Sequence, residues 1–163
     1  MDPYLAIASK RDERSYADTP VPDEVRERIL DGGRLSGSSK NRQRWEFVVV
    51  SGEAKDRLAE AVYAPENVAS AALVVAIVGE AGSFDCGRCA QNMMLAAWGD
   101  GVVSCPNGVR EAEAAAQICG GEVRAILSFG YPARPRDPAG RSAKEWSERA
   151  NRKPLSELVR DVT

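Results

Sequence analysis

The residues best suited to chemistry fall in three places along the chain. The segment Gly37-Ser38-Ser39-Lys40-Asn41-Arg42-Gln43-Arg44-Trp45-Glu46-Phe47 sets hydroxyls, two amides and an aromatic between a helix end and a strand. Backbone N–H groups, hydroxyls and amides are what a heteroaromatic ring with a polar edge requires. On composition alone the same segment also suits a solvated loop. Two basic clusters stand far apart, Lys10, Arg11 and Arg14 near the start and Arg149, Arg152 and Lys153 near the end. Each alone suits a solvated face. If they converge they hold a phosphate, through forked guanidinium donors and a point-charge ammonium.

The chain contains no histidine. That excludes Ser-His-Asp and Cys-His nucleophile pairs, H-E-x-x-H zinc proteases and any imidazole general base. Proton and electron chemistry must then come from Arg, Lys, carboxylates, Cys, Tyr or a bound cofactor. The spacing Cys86-Gly87-Arg88-Cys89 resembles a redox or zinc motif, but Cys105 and Cys119 form no second close pair. It also lies inside or at the head of an apolar helix, where two cysteines one turn apart serve packing. No metal site is expected. Gly79-Glu80-Ala81-Gly82 follows a strand but lacks the G-x-G-x-x-G spacing, and reads as a turn.

The elements that must position these groups can be read from apolar spacing and punctuation. Residues 3–14 read as a short helix ending in mixed charge, and Thr19-Pro20-Val21-Pro22 as extended chain. Pro22 starts a helix that Gly32-Gly33 stops. Residues 45–50 form a strand whose apolar run predicts burial on both faces, and residues 54–63 a helix broken by Pro65-Glu66-Asn67. A second buried strand covers 71–78. Residues 89–98 belong to a helix apolar almost all round, which places it at the centre of a fold or at a subunit interface. A glycine-marked turn at 99–103 leads into a short strand, 110–118 is an alanine-rich helix, and 123–129 is the third firm strand. From 133 to 153 the chain is too polar for a core and is expected to cross a surface or a partner subunit. Residues 154–162 read as a final short helix or strand. There is no internal repeat.

With 163 residues the chain has the size of one domain, and 44% hydrophobic residues supply a real core. Lys and Arg number 22 against 24 Asp and Glu, for a net charge of −2, so no global field draws in nucleic acid. No stretch reaches the ~18 apolar residues of a membrane span, and Met1-Asp2-Pro3-Tyr4 is no signal peptide. The four cysteines therefore read as reduced thiols of a cytoplasmic protein.

Taken in order, these segments resemble the nitroreductase family of FMN-dependent oxidoreductases. Lys10-Arg11-Asp12-Glu13-Arg14-Ser15-Tyr16 with Pro20-Val21-Pro22 resembles that family's opening, and Ser38-Ser39-Lys40-Asn41-Arg42-Gln43-Arg44-Trp45-Glu46-Phe47-Val48-Val49-Val50 its most specific motif. Gln91-Asn92-Met93-Met94-Leu95-Ala96-Ala97 is similar to the central helix, Gly130-Tyr131-Pro132 to a strand end and Arg152-Lys153-Pro154-Leu155 to the terminal motif. The resemblance covers nearly the whole chain. It implies an α+β fold of three layers, with a central, mostly antiparallel sheet flanked by helices, as one domain over 1–163 whose arm from about 133 to 163 crosses to the partner.

It further implies a homodimer with FMN at the interface and NAD(P)H as co-substrate. Hydride passes through flavin to an electrophilic acceptor such as a nitroaromatic or a quinone. Neither nucleic acid nor membrane is an implied partner. By motif, Lys10, Arg11 and Arg152 hold the phosphate and Arg14 faces the N1/O2 edge of the ring, where a cation stabilises the reduced form. Ser38, Ser39 and Asn41 reach the flavin from the partner subunit. Asn67 meets the pyrimidine ring, and Cys105-Pro106-Asn107-Gly108 lies against N5 and O4 through its backbone. Asp12 stands at a commonly hydroxylic position, where a carboxylate weakens phosphate binding unless Arg11 or Arg14 pairs it. Gly37 and Arg44 both stand where the family has Pro. The interval between Tyr63 and Val74 is short, which leaves the flavin face more open than usual. Alternatives are use of a deazaflavin, consumption of the flavin itself, or a flavin-binding module without turnover.

Overall fold

Residues 73–78 are apolar at every position, and in the computed structural model they form the fully buried centre of the sheet. The structure describes residues 2–162. Met1 and Thr163, the ends of the expected 1–163 domain, lie outside the described residues. Helices are α1 (Pro3–Ser9), α2 (Asp23–Arg34), α3 (Gly52–Glu60), α4 (Pro65–Ala69), α5 (Ser83–Gly99), α6 (Ala112–Cys119) and α7 (Ala143–Arg149). Strands are β1 (Glu46–Val50), β2 (Leu73–Val78), β3 (Val103–Asn107) and β4 (Val123–Gly130). They pair in the order β1-β2-β4-β3, every pair antiparallel. The expected α+β class with an antiparallel sheet is what the chain adopts.

Two compact units divide the chain. One joins the described residues up to Lys10 with those from Asp137 onward, and the other is Arg11–Arg136. In the larger unit the pleat of β2 sends alternate side chains to opposite faces. Leu73, Val75 and Ile77 join Leu127 and Phe129 of β4 under α2 and α5, through Val25, Ile29, Cys89, Met93 and Ala97. Val74, Ala76 and Val78 join Val50, Ile126, Leu58, Val62, Val68 and Ala115 on the face covered by α3, α4 and α6. The result is helix, sheet, helix. In the smaller unit α1 packs on α7. A capping box of Ser142 and Glu145 starts α7, and Trp146 Nε1 donates to the Pro138 carbonyl at 2.9 Å.

Three expectations need correction. β1 is only half-buried, because it is an edge strand with β2 on one side alone. The first helix stops at Ser9 instead of reaching Arg14, since the Asp12–Glu13 backbone is taken up by β3. Gly32 and Gly33 do not end α2, which continues to Arg34. They let it approach α5: a Cβ at Gly33 would overlap Met93, and one at Gly32 would meet the Ala96 Cβ at 3.1 Å. Among the described residues after Gly130, the helical elements are short turns and α7, and the last turn covers just Leu155–Glu157. No helix among the described residues is long and apolar enough to cross a membrane.

Candidate active site

β3 lies at a sheet edge with β4 on one side, and its other side receives the extended segment after α1. Asp12 bridges Ser104 in parallel sense, and the Glu13 N–H donates to the Ser104 carbonyl at 3.0 Å. Tyr16 bridges Pro132 just past the end of β4, and Arg136 pairs with Glu13. Arg14 is therefore carried on backbone fixed at both ends. Its side chain is exposed, and no ion pair among the described residues uses it. Arg11 beside it is half-buried, and Asp12 is exposed.

Beyond β3 the lip Pro106-Asn107-Gly108 has Pro106 and Gly108 exposed and Asn107 half-buried. The lip is braced from below. Tyr63 N–H donates to the Gly108 carbonyl at 3.0 Å, and Val62 bridges Val109. A Cβ at Gly108 would lie 3.1 Å from the Tyr63 ring, so a residue without a side chain suits this contact. Asn67 follows on α4, buried at 8% exposure, and α4 packs against β3. The larger unit thus brings Arg11, Asp12, Arg14, Asn67, Pro106, Asn107 and Gly108 to one edge of the sheet.

Ser38, Ser39 and Asn41 are not brought there. They precede β1, at the opposite edge, three strand spacings or about 14 Å away. The Ser39 N–H donates to Asp85 near the start of α5 at 3.1 Å, and Ser38 Oγ accepts from the Gln43 N–H at 2.9 Å. Lys40, Asn41 and Gln43 all have positive φ, at 53°, 53° and 49°, which non-glycine residues seldom adopt outside sites that hold them there. Both departures from the family pattern lie beside charged side chains. A Cβ at Gly37, proline's included, would sit 2.5 Å from the Arg88 guanidinium, and Arg44 pairs with Glu80 at 3.8 Å. Lys10 and Arg152 belong to the smaller unit, where Arg152 is exposed.

Of the cysteines only Cys105, on β3, stands at this edge. All four are free and buried, the Cys89 thiol donates to the Gly33 carbonyl at 3.5 Å, and burial pushes the Cys86, Cys89 and Cys119 thiols up. Among the described residues no group of three or more His, Cys, Asp or Glu gathers to hold a metal. Motif reasoning missed Ser128, a fully buried hydroxyl among apolar neighbours of β4, and the part played by Tyr16 beside it. Only the polar residue inside an apolar strand could have signalled it.

The sequence profile of the Nitroreductase family matches residues 7–81 and 78–131. The chain belongs to the nitroreductase family. An Archaeoglobus fulgidus relative that carries the name NADH dehydrogenase/NAD(P)H nitroreductase is 31% identical over 149 residues, covering 80% of this chain and 86% of that protein. Among solved structures, a nitroreductase family protein from Clostridium difficile 630 superposes with a TM-score of 0.83 at 23% identity, covering 100% and 99% of the two chains. A nitroreductase-type protein from Desulfovibrio desulfuricans, solved in complex with FMN, gives 0.80 at 24% identity over 100% and 98%. Membership places this nitroreductase-family chain among oxidoreductase enzymes.

Proposed function

We propose that the protein is an FMN-dependent oxidoreductase working with NAD(P)H, assembled as a homodimer. The observation that carries this reading is the pinned, exposed Arg14, which has no carboxylate partner among the described residues and stands beside the open lip Pro106-Asn107-Gly108. That donor set fits a flavin: a fixed cation for the electron-rich N1/O2 edge, and exposed backbone for N5 and O4. When bound, FMN supplies the hydride relay between nicotinamide and an electrophilic acceptor of the nitroaromatic or quinone kind. The protein's own part is to hold and polarise. Arg11 takes the phosphate, with Asp12 beside it, and Asn67 takes the pyrimidine edge. Ser38, Ser39 and Asn41 come from the partner subunit, to which the arm from 133 onward crosses. Their place at the far edge of the sheet supports a second chain completing the site.

The test is titration of the apoprotein with FMN, followed by anaerobic addition of NADH or NADPH. Uptake of about one FMN per subunit and bleaching of the yellow colour are expected. Arg14→Ala should slow reduction by about a hundredfold, on the scale of a lost electrostatic stabiliser. No FMN uptake, or reduction at the same rate in Arg14→Ala, overturns the assignment.

A further inference from the structure

Behind the lip, Tyr16, Ser128 and Asn107 join the three backbone stretches that meet at the β3 edge. The hydroxyls of Tyr16 and Ser128 lie 2.8 Å apart. Asn107 Nδ2 donates to Ser128 Oγ at 3.0 Å and to the Cys105 carbonyl at 3.1 Å, and Ser128 Oγ donates to that carbonyl at 3.2 Å. The Tyr16 hydroxyl also reaches the Glu13 carbonyl at 3.1 Å, one residue before Arg14. Tyr16 is held in place by its ring, which lies so close over Gly130 that a Cβ there would come within 2.8 Å. Ser128 is fully buried, so each of its bonds is made away from water.

Such an arrangement is expensive if it serves packing alone. Phe, Val and Leu would fill the same space without polar atoms to satisfy. Among the described residues the Ser104 hydroxyl and Asn107 Oδ1, both on β3, are buried without a hydrogen-bond partner, as is Asp100 Oδ2 at the end of α5. Native interiors leave few such atoms, and each calls for a reason. We infer that Tyr16, Ser128 and Asn107 form a positioning network that sets the Cys105–Gly108 backbone against the Arg14 segment, and so tunes the affinity and reduction potential of the flavin. The inference rests on the flavin reading above. None of the three residues needs to touch the cofactor with its side chain. The network acts by fixing where Arg14 and the lip stand relative to one another.

The experiment compares wild type with Tyr16→Phe, Ser128→Ala and the double variant, using FMN titration of apoprotein and the midpoint potential of the bound flavin. Tyr16→Phe keeps the ring on Gly130, so the fold survives. Ile29→Val, in the core on the other face of the sheet, serves as a variant that loses stability without touching the network. Each network variant is expected to weaken FMN binding about three- to tenfold, the equivalent of one neutral hydrogen bond, and to displace the potential. The double variant should be little worse than either single, because the bonds act as one unit. Unchanged affinity and potential in both single variants, or an equal loss of affinity in Ile29→Val, overturns the network. Failure of wild type to bind FMN overturns the flavin reading itself, a separate result.

Discussion

Arg14 and Tyr16 stand two residues apart on one extended segment, and their surroundings assign them opposite tasks. Arg14 faces solvent and keeps its charge available, whereas Tyr16 is drawn inward and must stay neutral. Burial pushes the Tyr16 phenol from 10.0 up to about 12, opposed by the Ser128 hydrogen bond and the Arg14 charge and aided by Cys105 and Glu13. The folded state therefore holds this proton more tightly than the unfolded chain. Its contribution to stability is complete below about pH 10 and is lost as pH rises from there through about 12. Denaturation midpoints measured across that window should fall more steeply for wild type than for Tyr16→Phe. Parallel slopes would show that the phenol does not titrate late. Arg14 was legible in the sequence because its motif names it. Tyr16 and Ser128 were not, since their pairing depends on a contact across 112 residues that no local pattern encodes.

At the scale of elements, β2 could be read directly, for an unbroken apolar run of strand length admits little else. β1 misled for the same reason: its run Phe47 to Val50 is as apolar, yet the topology puts it at an edge. The end of α1 was hidden because the free side of β3 claims the Asp12–Glu13 backbone, a competition decided outside the helix. The glycine pair of α2 carried two meanings, helix stop and close approach, and only the neighbour chose between them. That choice can be measured. Gly33→Ala gains helix propensity of about 1 kcal/mol, but its methyl collides with Met93 and approaches Phe47 Cζ to 2.9 Å. The net effect in chemical denaturation should be a loss of about 1–3 kcal/mol. Combined with Met93→Ala, which vacates most of that space, the two changes should cost less than their sum. Strict additivity would place the α2–α5 contact elsewhere.

For the whole molecule, the arm expected to leave its own chain is the part with the least apolar cover. Leu155, Leu158, Val159 and Val162 are all exposed, at 74%, 65%, 56% and 82%, and their spacing is that of one helix face. Obligate interfaces of about 2,000 Å² or more absorb such residues. The distance between the two edges of the sheet then has a genetic consequence. If Arg14 serves one flavin and Ser39 of the same chain serves the other, a defect at either position travels to a different site. Arg14→Ala and Ser39→Glu subunits, each nearly inactive alone, should complement when refolded together. Equal mixing makes half the dimers hybrid, each with one site free of both defects, so about a quarter of wild-type sites return. Were both residues to serve the same flavin, mixing would restore nothing. Two recessive lesions in one gene would then behave as though they lay in two.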